Sequence, residues 1–71
     1  MDTEPSLELT ELERMIVALL AQGQTANRIA AITELTQRSV ERQILICRQK
    51  LNARNNAELV AKVIGSGAYS A

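Results

Sequence analysis

The chain has no histidine, tryptophan or phenylalanine, and only one cysteine, one tyrosine and one proline among its 71 residues. Each shortage removes a class of chemistry. Without histidine, the commonest general base and the usual partner of a serine or cysteine nucleophile are missing, so an enzyme is not expected. With Cys47 as the only thiol, a zinc site has almost no ligands to draw on, and neither a metal nor another cofactor is expected. The same lone thiol rules out an internal disulfide, which suits a reducing compartment. A single aromatic, Tyr69, provides no stacking platform for single-stranded nucleic acid. No apolar run approaches the ~20 residues of a membrane span, so no membrane partner is expected. The opening Met1-Asp2-Thr3-Glu4-Pro5 lacks the basic start and apolar stretch of a secretory signal, and the expected location is the cytoplasm.

What is present is a short chain of one domain whose small core invites pairing with a second copy. Its formal net charge is zero, but the charges are segregated. Between Gln24 and Asn56 six bases (Arg28, Arg38, Arg42, Arg48, Lys50, Arg54) face two acids, Glu34 and Glu41, a local net of +4. Residues 1–23 hold five acids against Arg14, a local net of −4. A phosphate responds to the nearby patch more than to the distant sum. Charge alone also fits a solvated face joined to an acidic tail.

Four helices are expected and no strand: an all-α, compact four-helix domain containing a helix-turn-helix, with a lead-in at 1–8, the domain at 9–65 and a tail at 66–71. Thr10-Glu11-Leu12-Glu13 is a capping box that opens the first helix. Leu12, Ile16, Leu19 and Leu20 follow as its buried stripe, and Gly23 ends it. Thr25 is the N-cap of a second, shorter helix that offers Ile29, Ala30 and Ile32 to the core. The pattern breaks at Thr33-Glu34-Leu35, and Thr36 caps a third helix carrying Val40, Ile44, Cys47 and Leu51 inward. Asn52 is placed to end it in the left-handed conformation. Asn55-Asn56-Ala57-Glu58 reads as a second capping box, and Gly65-Ser66-Gly67 as the stop of the fourth helix.

Two short helices joined by a tight turn, the second longer and basic at its start, describe a helix-turn-helix. The buried stripe of the third helix turns Arg38, Arg42, Leu45 and Gln49 outward, with Glu41 and Ile46 on the flanks. The major groove admits such a helix, and Arg38 and Arg42, one turn apart, suit guanine edges or phosphates. Thr36, Gln37 and Ser39 stand at the helix start, where free N–H groups and hydroxyls suit a phosphate. Ordinary solvated arginines on an exposed face would look the same without the turn before them. Cys47, on the core side, reads as a packed small hydrophobe. On the fourth helix Leu59 and Val63 lie on one line and Val60 and Ile64 on the next. One line is expected to face the core and the other a partner helix, although both could be core.

These residues also carry a resemblance. Leu9-Thr10, Glu13, Ile16, Ala21-Gln22-Gly23, Ile29-Ala30, Ser39-Val40, Lys50-Leu51, Arg54-Asn55, Glu58 and Val60 are similar, in order and spacing, to the LuxR-type (GerE-type) domain. The likeness runs from Leu9 to Ile64 without a gap. It implies a DNA-binding domain that dimerises through its last helix, with Leu59, Val60, Val63 and Ile64 at the interface. It also implies binding to paired half-sites in double-stranded promoter DNA. The expected DNA-contacting set is Thr36, Gln37, Arg38, Ser39, Glu41, Arg42, Gln43, Leu45 and Lys50. The chain departs from the family at Glu41, where lysine is usual, and at Gln43, where histidine is usual. It departs again at Leu45 and Ile46, where polar residues are usual. Those departures keep a second reading open: a protein-interaction module of the same fold that binds another regulator, or RNA polymerase, without reading bases. The promoter-reading region of a sigma factor shares the helix-turn-helix pattern but fits the closing segment less well.

Overall fold

The computed structural model describes residues 9–66, and they form four helices with no strand among them. The helices are α1 (Glu11–Ala21), α2 (Ala26–Thr33), α3 (Gln37–Leu51) and α4 (Asn56–Ser66). The lead-in expected at 1–8 and the tail from residue 67, Tyr69 included, lie outside the described residues.

Each helix begins where a side chain can satisfy a free backbone N–H. Thr10, Thr25 and Thr36 accept from the amides of Glu13, Arg28 and Ser39 at 3.0–3.1 Å. At α1 the box closes, because Glu13 Oε1 accepts from the Thr10 amide at 2.8 Å. At α4 it closes one residue early. Asn55 Oδ1 accepts from the Glu58 amide at 2.8 Å, but the Glu58 carboxylate takes the N–H of Arg54, at 2.6 Å, rather than that of Asn55. That hydrogen bond, outweighing a small desolvation and helped by the Arg54 charge, holds the Glu58 carboxyl below its usual 4.5.

Three helices end through a residue in the left-handed region: Gly23 (φ 88°), Glu34 (φ 61°) and Asn52 (φ 56°). In each case the amide one residue further on returns into the last turn, as Leu35 does to the Ala30 carbonyl at 3.0 Å and Ala53 to Arg48 at 2.8 Å. Glycine and asparagine adopt this geometry at little cost, whereas Glu34 carries a Cβ strain. Of the expected stop at Gly65-Ser66-Gly67, the first two residues are helical and Gly67 lies outside the described residues. The helix runs through both, because an exposed glycine in a last turn weakens a helix without breaking it.

α3 packs against all three other helices, and α1 also touches α2 and α4. The core between them is Leu9, Ile16, Val17, Ile29, Ala30, Val40, Ile44, Cys47, Leu59 and Val63. Leu19, Leu20 and Leu51, also expected there, pack against it half-buried, whereas Leu12 and Ile32 are 37% and 46% exposed. In α1 the inward stripe is Glu13, Ile16, Val17 and Leu20, so Leu12 is displaced by a neighbouring carboxylate. Glu13 is buried because Lys50 Nζ meets its Oε1 at 2.8 Å, with the two side chains 5% and 19% exposed. Burial alone would raise its pKa, but the Lys50 ammonium and the Thr10 amide outweigh that and hold it below the usual 4.5. This pair joins the first turn of α1 to the last turn of α3. Cys47 lies beside it, fully buried, and desolvation together with the Glu13 charge pushes its thiol up to about 11.

Candidate nucleic-acid interface

The short turn from Glu34 to Thr36 joins α2 to α3, and the Thr36 cap fixes where α3 begins. From that start, the rotation of about 100° per residue assigns the faces. Val40, Ile44 and Cys47 turn inward and are buried. Arg38, Arg42, Leu45 and Gln49 turn outward and are exposed, as the sequence pattern requires. Thr36, Arg38, Ser39, Glu41, Arg42 and Leu45 line one shallow depression of about 400 Å³. Six of the nine residues expected at the site therefore share one continuous surface. Arg38 and Arg42 have no acidic partner there: the ion pairs among the described residues are Lys50–Glu13 and Arg54–Glu58.

Gln37 joins this surface from its edge, donating from Nε2 to Glu41 Oε2 at 3.1 Å. Two expected residues do not line it. Gln43 is half-buried, two residues from Leu45 and so about 200° around the helix, on the flank away from the depression. Lys50 is turned inward onto Glu13, since a partly buried carboxylate claims the nearest ammonium. On α4 the two lines separate as expected. Leu59 and Val63 are fully buried in this chain's own core, while Val60 is half-buried and Ile64 is 53% exposed.

A second depression, of about 250 Å³, was not anticipated. Ala26, Glu41, Ile44, Leu45, Arg48 and Asn56 line it, so the first residues of α2 and α4 meet the middle of α3. Arg48 is anchored there by donating from Nη2 to the Arg54 carbonyl, while its Nε is buried without a partner. Its placement was available from periodicity alone: seven residues beyond Glu41, it falls on the same flank of α3.

The sequence profile described as bacterial regulatory proteins of the luxR family matches residues 7–63. The chain belongs to this family. Among curated relatives, the transcriptional activator protein BjaR1 of Bradyrhizobium diazoefficiens is 37% identical over 60 residues, 84% of this chain and 25% of BjaR1. Among solved structures, the transcription factor GerE superposes with a TM-score of 0.83 at 25% identity, covering 90% of this chain and 94% of that one. Phage VqmA bound to DPO gives 0.82 at 35% identity, covering 93% of this chain and 30% of its own. VqmA of Vibrio cholera, solved with ligand and DNA, gives 0.81 at 25% identity, covering all of this chain and 31% of that one. This luxR-family chain thus spans about a quarter of the curated relative and nearly the whole of GerE. No helix among its described residues is long and apolar enough to cross a membrane.

Proposed function

We propose that this chain binds double-stranded DNA sequence-specifically as part of a bacterial transcriptional regulator in the cytoplasm, laying α3 in the major groove. The observation that carries the reading is the pair Arg38 and Arg42. They are exposed one turn apart at the start of α3, with no acid holding either and the hydroxyls of Thr36 and Ser39 beside them. Arginine in that geometry serves guanine edges and phosphates, and a helix N-terminus adds its own attraction for phosphate. The contacting set is Thr36, Gln37, Arg38, Ser39, Glu41, Arg42 and Leu45. That VqmA of Vibrio cholera, which contains a domain of the same shape, was solved with DNA supports the assignment.

Two copies act together. The outward side of α4 presents Val60 and Ile64, with Ala57 and Ala61 on the same side, a narrow apolar strip whose small residues let a second α4 approach closely. A two-fold pair of this kind sets the two α3 helices on half-sites ~34–36 Å apart.

Fluorescence anisotropy on duplexes recovered from a random pool tests the reading. Log affinity should fall with log salt by about 0.9 for each phosphate neutralised. Arg42→Ala should weaken binding by about 1–3 kcal/mol if the contact is a bidentate one to a base. Affinity indifferent to both salt and Arg42 refutes it. The 49% exposure of Leu45 favours a second reading, in which this face grips another protein. In that case Leu45→Glu abolishes capture of a regulator while duplex binding is absent from the start.

A further inference from the structure

One side chain on the outward face of α3 has the wrong sign for a phosphate. Glu41 is exposed, next to Arg42 and three residues from Arg38, and it borders both depressions. Neither arginine pairs with it; its partner is the neutral amide of Gln37, at 3.1 Å from Oε2. Held one turn away on the same flank, Gln37 fixes the carboxylate's orientation and leaves Oε1 without a hydrogen bond among the described residues. A carboxylate only accepts. In the major groove guanine offers two acceptors, and thymine an acceptor with a methyl group. Adenine offers a donor beside an acceptor, and cytosine a donor with no acceptor at its side.

We propose that Glu41, oriented by Gln37, is a specificity-determining residue that selects a cytosine by accepting from its N4 amino group. The inference rests on the placement of α3 in the major groove. Beside guanine or thymine the carboxylate meets only lone pairs or a methyl, and beside adenine the N6 donor comes with the N7 lone pair, so its main effect is to exclude the first two and disfavour the third. Arg38 and Arg42 supply the attraction that makes this exclusion affordable, and Glu41 lowers affinity for duplexes lacking the cytosine.

The test is selection from random duplexes with the wild-type chain, Glu41→Ala, Glu41→Gln and Gln37→Ala, followed by anisotropy on single-base variants of the recovered site. Circular dichroism verifies that helicity is retained, as expected for exposed positions. The wild-type site should hold one cytosine whose replacement weakens binding roughly 5- to 150-fold. Glu41→Ala should erase that discrimination while strengthening binding to unrelated duplexes. Glu41→Gln should move the preference from cytosine to adenine, because an amide pairs with both N6 and N7. Gln37→Ala should keep the cytosine preference but reduce it. Selective binding by the wild type together with an unchanged cytosine preference in Glu41→Ala overturns the inference and leaves the groove reading standing. A Glu41-dependent preference for a base other than cytosine does the same. A wild-type chain that selects no duplex at all overturns both.

Discussion

Replacing Lys50 by methionine removes one partner of the internal ion pair between α1 and α3. Lys50 Nζ lies 2.8 Å from Glu13 Oε1, in a site where the carboxylate side chain is 5% exposed and the lysine 19%. Exposed pairs contribute about 0–1 kcal/mol, whereas removing one partner of a fully buried pair costs about 3–5 kcal/mol. The ammonium keeps some water, and Glu13 keeps its bond from the Thr10 amide, so the expected loss is about 2–3 kcal/mol, between those limits. A chain of this length has roughly 4–10 kcal/mol in total, and the midpoint of thermal unfolding should fall on the order of 10–20 °C. Urea unfolding followed by helical circular dichroism measures the loss directly. The double variant Glu13→Gln with Lys50→Met should recover most of it, because no charge is then left buried alone. Its duplex affinity and salt slope should match the wild type, since Lys50 is turned onto Glu13 and not toward the proposed DNA surface. A single variant within 0.5 kcal/mol of wild type, on the order of measurement error, would show that the pair is solvated and the reasoning wrong.

Acid should destabilise the fold through the same pair. Glu13 and Glu58 have folded pKa values below the usual 4.5, so their contribution is complete above that value and is lost as pH falls through the folded ones; urea midpoints taken from pH 7 to 3 should decline below about pH 5, and less steeply in the Glu13→Gln, Lys50→Met background. Glu34→Gly should stabilise by about 0.5–1 kcal/mol, since relief of left-handed strain exceeds the added entropy of the unfolded chain, and an unchanged or lowered urea midpoint would contradict this. Cys47, buried with its thiol near 11, should resist iodoacetamide in the native protein at pH 8 and react once urea unfolds it; native labelling at the unfolded rate would refute its placement.

The sequence was most informative where a structural choice is local. Thr10, Thr25 and Thr36 start helices because a hydroxyl three residues ahead of an amide needs no tertiary partner to bond it, and Gly23 and Asn52 end them because their own backbones tolerate positive φ. The face of α3 was legible for a related reason: Val40, Ile44 and Cys47 keep one buried phase, opposite Arg38 and Arg42. Counting apolar residues failed at α1, where Glu13 occupies an inward position that hydrophobicity alone assigns to Leu12. The reason lies 37 positions away, in Lys50, and no local pattern couples the two. The same coupling holds Lys50 on Glu13 rather than among the residues that line the depression. Glu34 was illegible for the opposite reason, since its backbone takes a glycine-like conformation that its side chain does not advertise. On α4 periodicity separated the two apolar lines, but only packing decided that Leu59 and Val63 belong to the core.

The neutral total charge of the chain, at first sight a poor match for a polyanion, is reconciled by where the charges go. Lys50 cancels Glu13 inside the fold, and Arg54 is engaged by Glu58 at 3.6 Å. Arg14 and Arg48 are tied to the carbonyls of Leu9 and Arg54. Near the start of α3 this leaves Arg38 and Arg42, with Arg28 exposed on α2, opposed mainly by Glu41. Few cations then remain for phosphates, so the sequence-independent part of the affinity is small for one copy, and a single domain would hold DNA weakly. The proposed pairing through α4 would address that deficit: once one copy is bound, the second would meet its half-site as an intramolecular event. The same scarcity of cations makes the proposed rejection of wrong bases by Glu41 consequential, because little non-specific attraction is present to mask it.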